Sequence, residues 1–217
     1  MEENTKPIVC VDEVVFDGQT EQGVELDYVL PDYCPDIFKV LSCTLNPAIV
    51  SYNASSDGRL NIDGIVYIKV LYTAEGSENV QCIDGRYTYS KTVDMSRKNI
   101  ADPIISLQMK SDYCSCRAVS PRRIDVRGAV RCRIKATAAF EYELPEIPDG
   151  LQVRTTEVEC CGKTLFAGKQ MTVREEIDTG AAGISFIMQC RAIPKITDLR
   201  VIADKAVLKG SVTINAL

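Results

Sequence analysis

The chain has 217 residues, of which 46% are apolar and 25% charged, with a net charge of -5. That length suits one large or two small domains with a sizeable core, and the composition is far from the low-hydrophobicity, high-charge profile of a disordered chain. Histidine and tryptophan are absent, which excludes a Ser-His-Asp triad, a Cys-His dyad, an HExxH zinc site and imidazole acid–base catalysis.

The N-terminal MEENTKPIVC is acidic and polar, without the basic and apolar regions of a secretory signal. No stretch approaches the ~18 consecutive apolar residues of a membrane span. A cytoplasmic protein is therefore expected, with its ten cysteines as reduced, mostly structural thiols; metal or redox use is the alternative. Cys114 with Cys116, and Cys160 with Cys161, lack zinc-knuckle spacing.

Most segments read as strands. In chain order these are 8–16, 24–30, 48–53, 59–72, 80–93, 104–117 and 124–136. The last is the clearest: Ile124, Val126, Gly128, Val130, Cys132, Ile134 and Ala136 alternate with Asp125, Arg127, Ala129, Arg131, Arg133 and Lys135. One buried face and one wet face of an antiparallel sheet are expected. Gly64, Gly128 and Gly210 fall mid-strand and suggest bulges or close backbone crossings. After Cys34 the run PDIFKVL predicts a short helix, with Pro35 at its start and Ile37, Val40 and Leu41 on one face. Turn signals fall at Ser56-Asp57-Gly58, Glu75-Gly76-Ser77 and Asp84-Gly85. The expected fold is mainly β: tandem antiparallel β-sandwich or open-barrel domains with one or two short helices.

The tandem follows from internal repetition. CVDEVVFDG from Cys10 resembles CCGKTLFAG from Cys160, VLSCTLNPAI from Val40 resembles IMQCRAIPKI from Ile187, and DGIVYIKVL from Asp63 resembles KGSVTINAL from Lys209. The blocks keep their order at offsets of 150, 147 and 146. A complete domain over 1–147 and the first half of a second over 148–217 are expected. The natural linker is LPEIPDG, 144–150. Leu217 matches Leu71 in mid-strand, so the second copy reads as truncated, or as a half-copy completed by packing on the first.

Several candidate sites stand out. Arg127, Arg131, Arg133 and Lys135 share one exposed strand face. Two readings apply, a solvated face with intramolecular ion pairs or a protein interface; nucleic acid is not expected, since few aromatics interleave the basic residues and the protein is acidic. The first forty residues hold ten acids against two lysines, which suggests salt-dependent head-to-tail self-association. LPDYCPDI, 30–37, brings Asp32 and Asp36 together; a rigid connection is the first reading and a carboxylate pair for metal or acid–base work the second. GAAGIS, 180–185, lacks GK[ST] and is read as a flexible connection rather than a phosphate loop.

The runs VELDYVLPDYCPDIFKVLSC, GRLNIDGIVYIKVLY and SPRRIDVRGAVRCRIKA, in this order across 22–142, resemble the SPOCS domain family of SipL-type spore morphogenesis proteins; 158–217 resembles its first half. The resemblance implies tandem domains, often followed by a LysM domain. It implies a role in assembling the spore coat around the forespore by binding a coat-basement ATPase in the mother-cell cytoplasm. In SipL the LysM domain is associated with that binding, and no LysM sequence is seen here. The resemblance brings no catalytic residue, cofactor or metal. The expected function is a non-enzymatic scaffold whose partners are other spore-coat morphogenetic proteins or further copies of itself. The alternative is a small-ligand or cell-wall glycan module, which needs a concave site with exposed aromatics such as Tyr67, Tyr87, Tyr89 and Tyr113. A third reading is an enzyme using Asp32, Asp36 or a cysteine.

Overall fold

Long runs of β-branched and aromatic residues, punctuated by glycine turns, become strands throughout. The structure is a computed structural model that describes residues 8–77, 79–95, 100, 102–144, 187–203 and 205–217, with 150, 152, 154, 156, 172–176, 178, 180, 183 and 184. Among the described residues there are eight strands and no helix: β1 Ile8–Val29, β2 Ile37–Ala54, β3 Arg59–Ala74, β4 Val80–Asp94, β5 Ile104–Ser120, β6 Arg123–Glu143, β7 Cys190–Ile202 and β8 Lys205–Ala216. The chain divides into two units, Met1–Lys169 and Gln170–Leu217. The repeat block at 160–168, linker residues 145–149, and positions 179, 181, 182 and 185 around the GAAGIS segment lie outside the described residues.

In the first unit two antiparallel sheets, ordered β1-β6-β5 and β2-β3-β4, pack face to face. They form a sandwich and do not close into a barrel. The central strands β3 and β6 show the strictest alternation, because each is covered on one face and paired on both edges. Val66, Ile68, Val70 and Tyr72 of β3 meet Val24 of β1 and Ile124, Val126 and Val130 of β6 in the main core. A second cluster joins Leu60 and Ile62 to Cys132, Ile134 and Ala136.

Gly128 lies in this packing. A Cβ there would sit 2.5 Å from Leu45 Cδ1 and 2.6 Å from the Tyr113 carbonyl oxygen, so only glycine lets β6 approach β5 and β2 this closely. Gly58, at φ 86°, turns the β2–β3 hairpin. Asp84 and Gly85, expected as a turn, instead lie within β4 opposite Lys69 and Ile68. There a Cβ on Gly85 would meet Leu26 of β1 at 3.0 Å, so the glycine serves sheet packing.

The helix expected after Cys34 is a strand. β2 carries one-residue bulges at Phe38, Leu41 and Val50. Each bulge adds a residue between inward positions, so Ile37, Val40 and Cys43 face the core at intervals of three rather than two. That spacing mimics one face of a helix. Pairing with β3 overrides the local signal, and β-branched Ile37 and Val40 suit a strand.

In the second unit β7 and β8 form an antiparallel pair. Cys190 opposes Ala216, Pro194 opposes Val212 and Ile196 opposes Gly210, with a bulge before Asp198. In β2 and β3 the positions of the matching sequence blocks pair identically: Cys43 with Val70, Pro47 with Val66, and Ile49 with Gly64, with a bulge before Ser51.

Candidate functional site

The outer face of the β1-β6-β5 sheet is a plane of charge. Alternation along β6 sends Arg127, Arg131, Arg133 and Lys135 to solvent in one row, while the intervening Gly128, Val130, Cys132, Ile134 and Ala136 are buried. The antiparallel register sets acids of β1 beside this row, Glu25 opposite Arg127, Glu21 opposite Arg131 and Asp17 opposite Lys135. Arg131 pairs with Asp112 at 2.9 Å, Arg127 with Asp125 at 3.2 Å, and Arg133 with Asp17 at 3.8 Å. Asp112 reaches Arg131 from the one-residue bulge of β5 between Ser111 and Tyr113. Lys135, between Asp17 and Ser106 in the register, makes no ion pair among the described residues. All four basic residues named from the sequence are thus neighbours on one solvent face, and three of them are ion-paired within it. Exposed pairs of this kind contribute about 0–1 kcal/mol each.

At one end of the same sheet the LPDYCPDI segment folds around Arg122. The guanidinium donates to the carbonyls of Pro31 at 2.8 Å, Cys34 at 3.2 Å and Leu30 at 3.4 Å, and to Asp36 Oδ1 at 2.7 Å. Asp32 lies 3.8 Å away. Backbone bonds from Leu30 N to Arg122 O and from Ile37 N to Pro121 O lock the connection to the β5–β6 turn, and the Tyr72 hydroxyl donates to Pro35 O. The two aspartates therefore meet one shared cation. The rigid connection runs from strand to strand rather than from strand to helix. It holds Tyr33 in solvent, at 87% exposure, and the adjoining β2 bulge exposes Phe38, at 71%. The anchoring role of Arg122 was not legible in the sequence, where it is one arginine of a basic run, because its acceptors lie 86 to 92 positions away. The exposure of Phe38 and Leu41 was not legible either, since it depends on the bulges of β2.

The tyrosines do not share a platform. Tyr89 stacks into the space left by Gly64 and Tyr87 is half-buried beside Gln22, whereas Tyr113 is exposed on β5 and Tyr67 stands outside β3 with Arg86 5.9 Å above its ring. The cavity beside Tyr89, Met109 and Cys132 has about 10 Å³, room for one water at most.

Three thiols gather elsewhere. Cys114 donates to Cys43 Sγ at 3.1 Å, and Cys116 packs against the same core. Interaction with Cys116, burial and the Cys114 contact push the Cys43 thiol far above its ordinary range. Interaction with Cys43 lowers Cys116.

Among the described residues no helix is long and apolar enough to cross a membrane. Comparison with curated proteins and with solved structures finds no match. Residues 36–119, from the start of β2 through nearly all of β5, match the family model described as SipL, SPOCS domain. Over that segment, well under half of the chain, the protein is similar to the SPOCS domain family.

Proposed function

We propose that this chain is a non-enzymatic scaffold of spore-coat assembly that binds other spore-coat morphogenetic proteins, or further copies of itself, through the outer face of the β1-β6-β5 sheet. The SPOCS domain supports a role in sporulation. The observation that carries the reading is the row of Arg127, Arg131, Arg133 and Lys135 beside the acids of β1 on one exposed sheet face. Alternating rows of opposite charge can meet a second such face shifted by one row, which favours oriented docking over tight small-molecule binding. The shared register of the β2–β3 and β7–β8 pairs supports a second SPOCS-type copy over 148–217.

The test neutralises the row with Arg127→Gln, Arg131→Gln, Arg133→Gln and Lys135→Gln in one chain. Retention of coat proteins from sporulating-cell lysate, quantified by mass spectrometry, should fall about tenfold or more, the loss of ~1.4 kcal/mol. Light scattering at low and high salt reads self-association in parallel. Equal retention and salt-independent mass in both proteins, with the variant still folded, would overturn the assignment.

A further inference from the structure

β2 and β5 are edge strands of different sheets, and no backbone ladder joins them. Their seam is where Cys43, Cys114 and Cys116 meet. Bulges bring the thiols there. In β5 the inward residues are Ile105, Leu107 and Met109 before the bulge at Asp112, and Cys114 and Cys116 after it. In β2 the bulge at Leu41 shifts the phase that turns Cys43 inward. All three cysteines are free, half-buried and packed against the main core. Among the described residues no group of three such side chains has the geometry to hold a metal ion.

We propose that Cys43 and Cys114 are a reversible disulfide site that staples the two sheets across their unbonded seam. Their sulfurs, 3.1 Å apart, need about 1 Å of approach to reach the ~2.05 Å of a disulfide. The oxidant is a low-molecular-weight disulfide. Cys114 gives up its proton and attacks one of its sulfurs, forming a mixed disulfide and expelling one thiolate. Cys43, once deprotonated, attacks the Cys114 sulfur and expels the second. Two protein thiols become one disulfide, and the oxidant leaves as two thiols carrying the two protons. Cys116 packs against the same core as Cys43 and Cys114. The crosslink spans a sequence separation of 71, so it removes considerable freedom from the unfolded chain.

The experiment incubates the full chain with oxidised or reduced glutathione, then maps non-reduced peptides and records thermal unfolding. A mass loss of about 2 Da, two hydrogens, should localise to a linked peptide pair containing Cys43 and Cys114. Tm should rise by on the order of 10 °C and return on reduction. Cys43→Ser should remove both effects, whereas Cys82→Ser should keep them. The wild-type map decides the matter even if Cys43→Ser folds poorly. Full oxidation without this linked pair, linkage of Cys43 to Cys116 instead, or one zinc per purified chain protecting the thiols would overturn the proposal.

Discussion

Arg122 shows how one side chain can organise a connection of several residues. Its planar guanidinium carries enough donors to bind three carbonyls and Asp36 at once. Leu30, Pro31 and Cys34 would otherwise present carbonyls to a partly desolvated turn. Arg122→Ala should therefore destabilise the first unit by about 2 kcal/mol, a charge-assisted network discounted for its partial exposure. Arg122→Lys should recover less than half of that, because an ammonium cannot span the same acceptors. Urea unfolding of the two variants measures both quantities; equal stability of Arg122→Ala and wild type would refute the anchoring role.

At the scale of the element, the informative positions are those where a strand departs from strict alternation. The bulges of β2 put Phe38, Leu41 and Val50 outside and give an edge strand an irregular, twisted border, which discourages open-ended sheet addition. Two glycines of the β1-β6-β5 sheet contrast. Gly128 faces a carbonyl oxygen that cannot swing away, whereas a methyl group on Gly23 would meet nothing within 4 Å. Gly128→Ala should cost about 1–3 kcal/mol through forced backbone displacement. Gly23→Ala should be neutral or stabilise by up to ~1 kcal/mol, by narrowing the unfolded ensemble. Denaturation midpoints of the pair separate packing from backbone entropy, and equal losses would contradict this account.

Across the whole molecule, carboxylates and thiols bound its pH range in opposite ways. Hydrogen bonds from Arg123 to Asp27, from Ser55 to Asp57 and from Ser51 to Asp63 hold these carboxyls below their ordinary range. Their contribution is present above about pH 4 and is lost as pH falls through the folded values, because the unfolded chain then binds more protons. Burial raises the thiols of Cys82, Cys114 and Cys132. Above about pH 8.5 the unfolded chain releases thiol protons that the folded one retains, so stability falls there too. Thermal midpoints should form a plateau between these limits. In Asp27→Asn the acid limb should be shallower, and an unchanged limb would remove Asp27 from the account.

Much of this protein was legible in order along the chain. The alternation of β6 identified its buried and charged faces because side chains on a paired strand have period two, whatever their neighbours. The same regularity marked β3, and the Ser56-Asp57-Gly58 turn signal marked the β2–β3 turn. The bulges of β2, the packing role of Gly85, the anchor at Arg122 and the thiol seam were decided only by tertiary structure. Each depends on groups far away in sequence: β3 for the bulges, Leu26 for Gly85, the LPDYCPDI carbonyls for Arg122, and β5 for Cys43. Local pattern records which face a residue prefers. What that face meets is settled when the two sheets close on each other, and only then do distant donors, thiols and ring edges come within bonding distance.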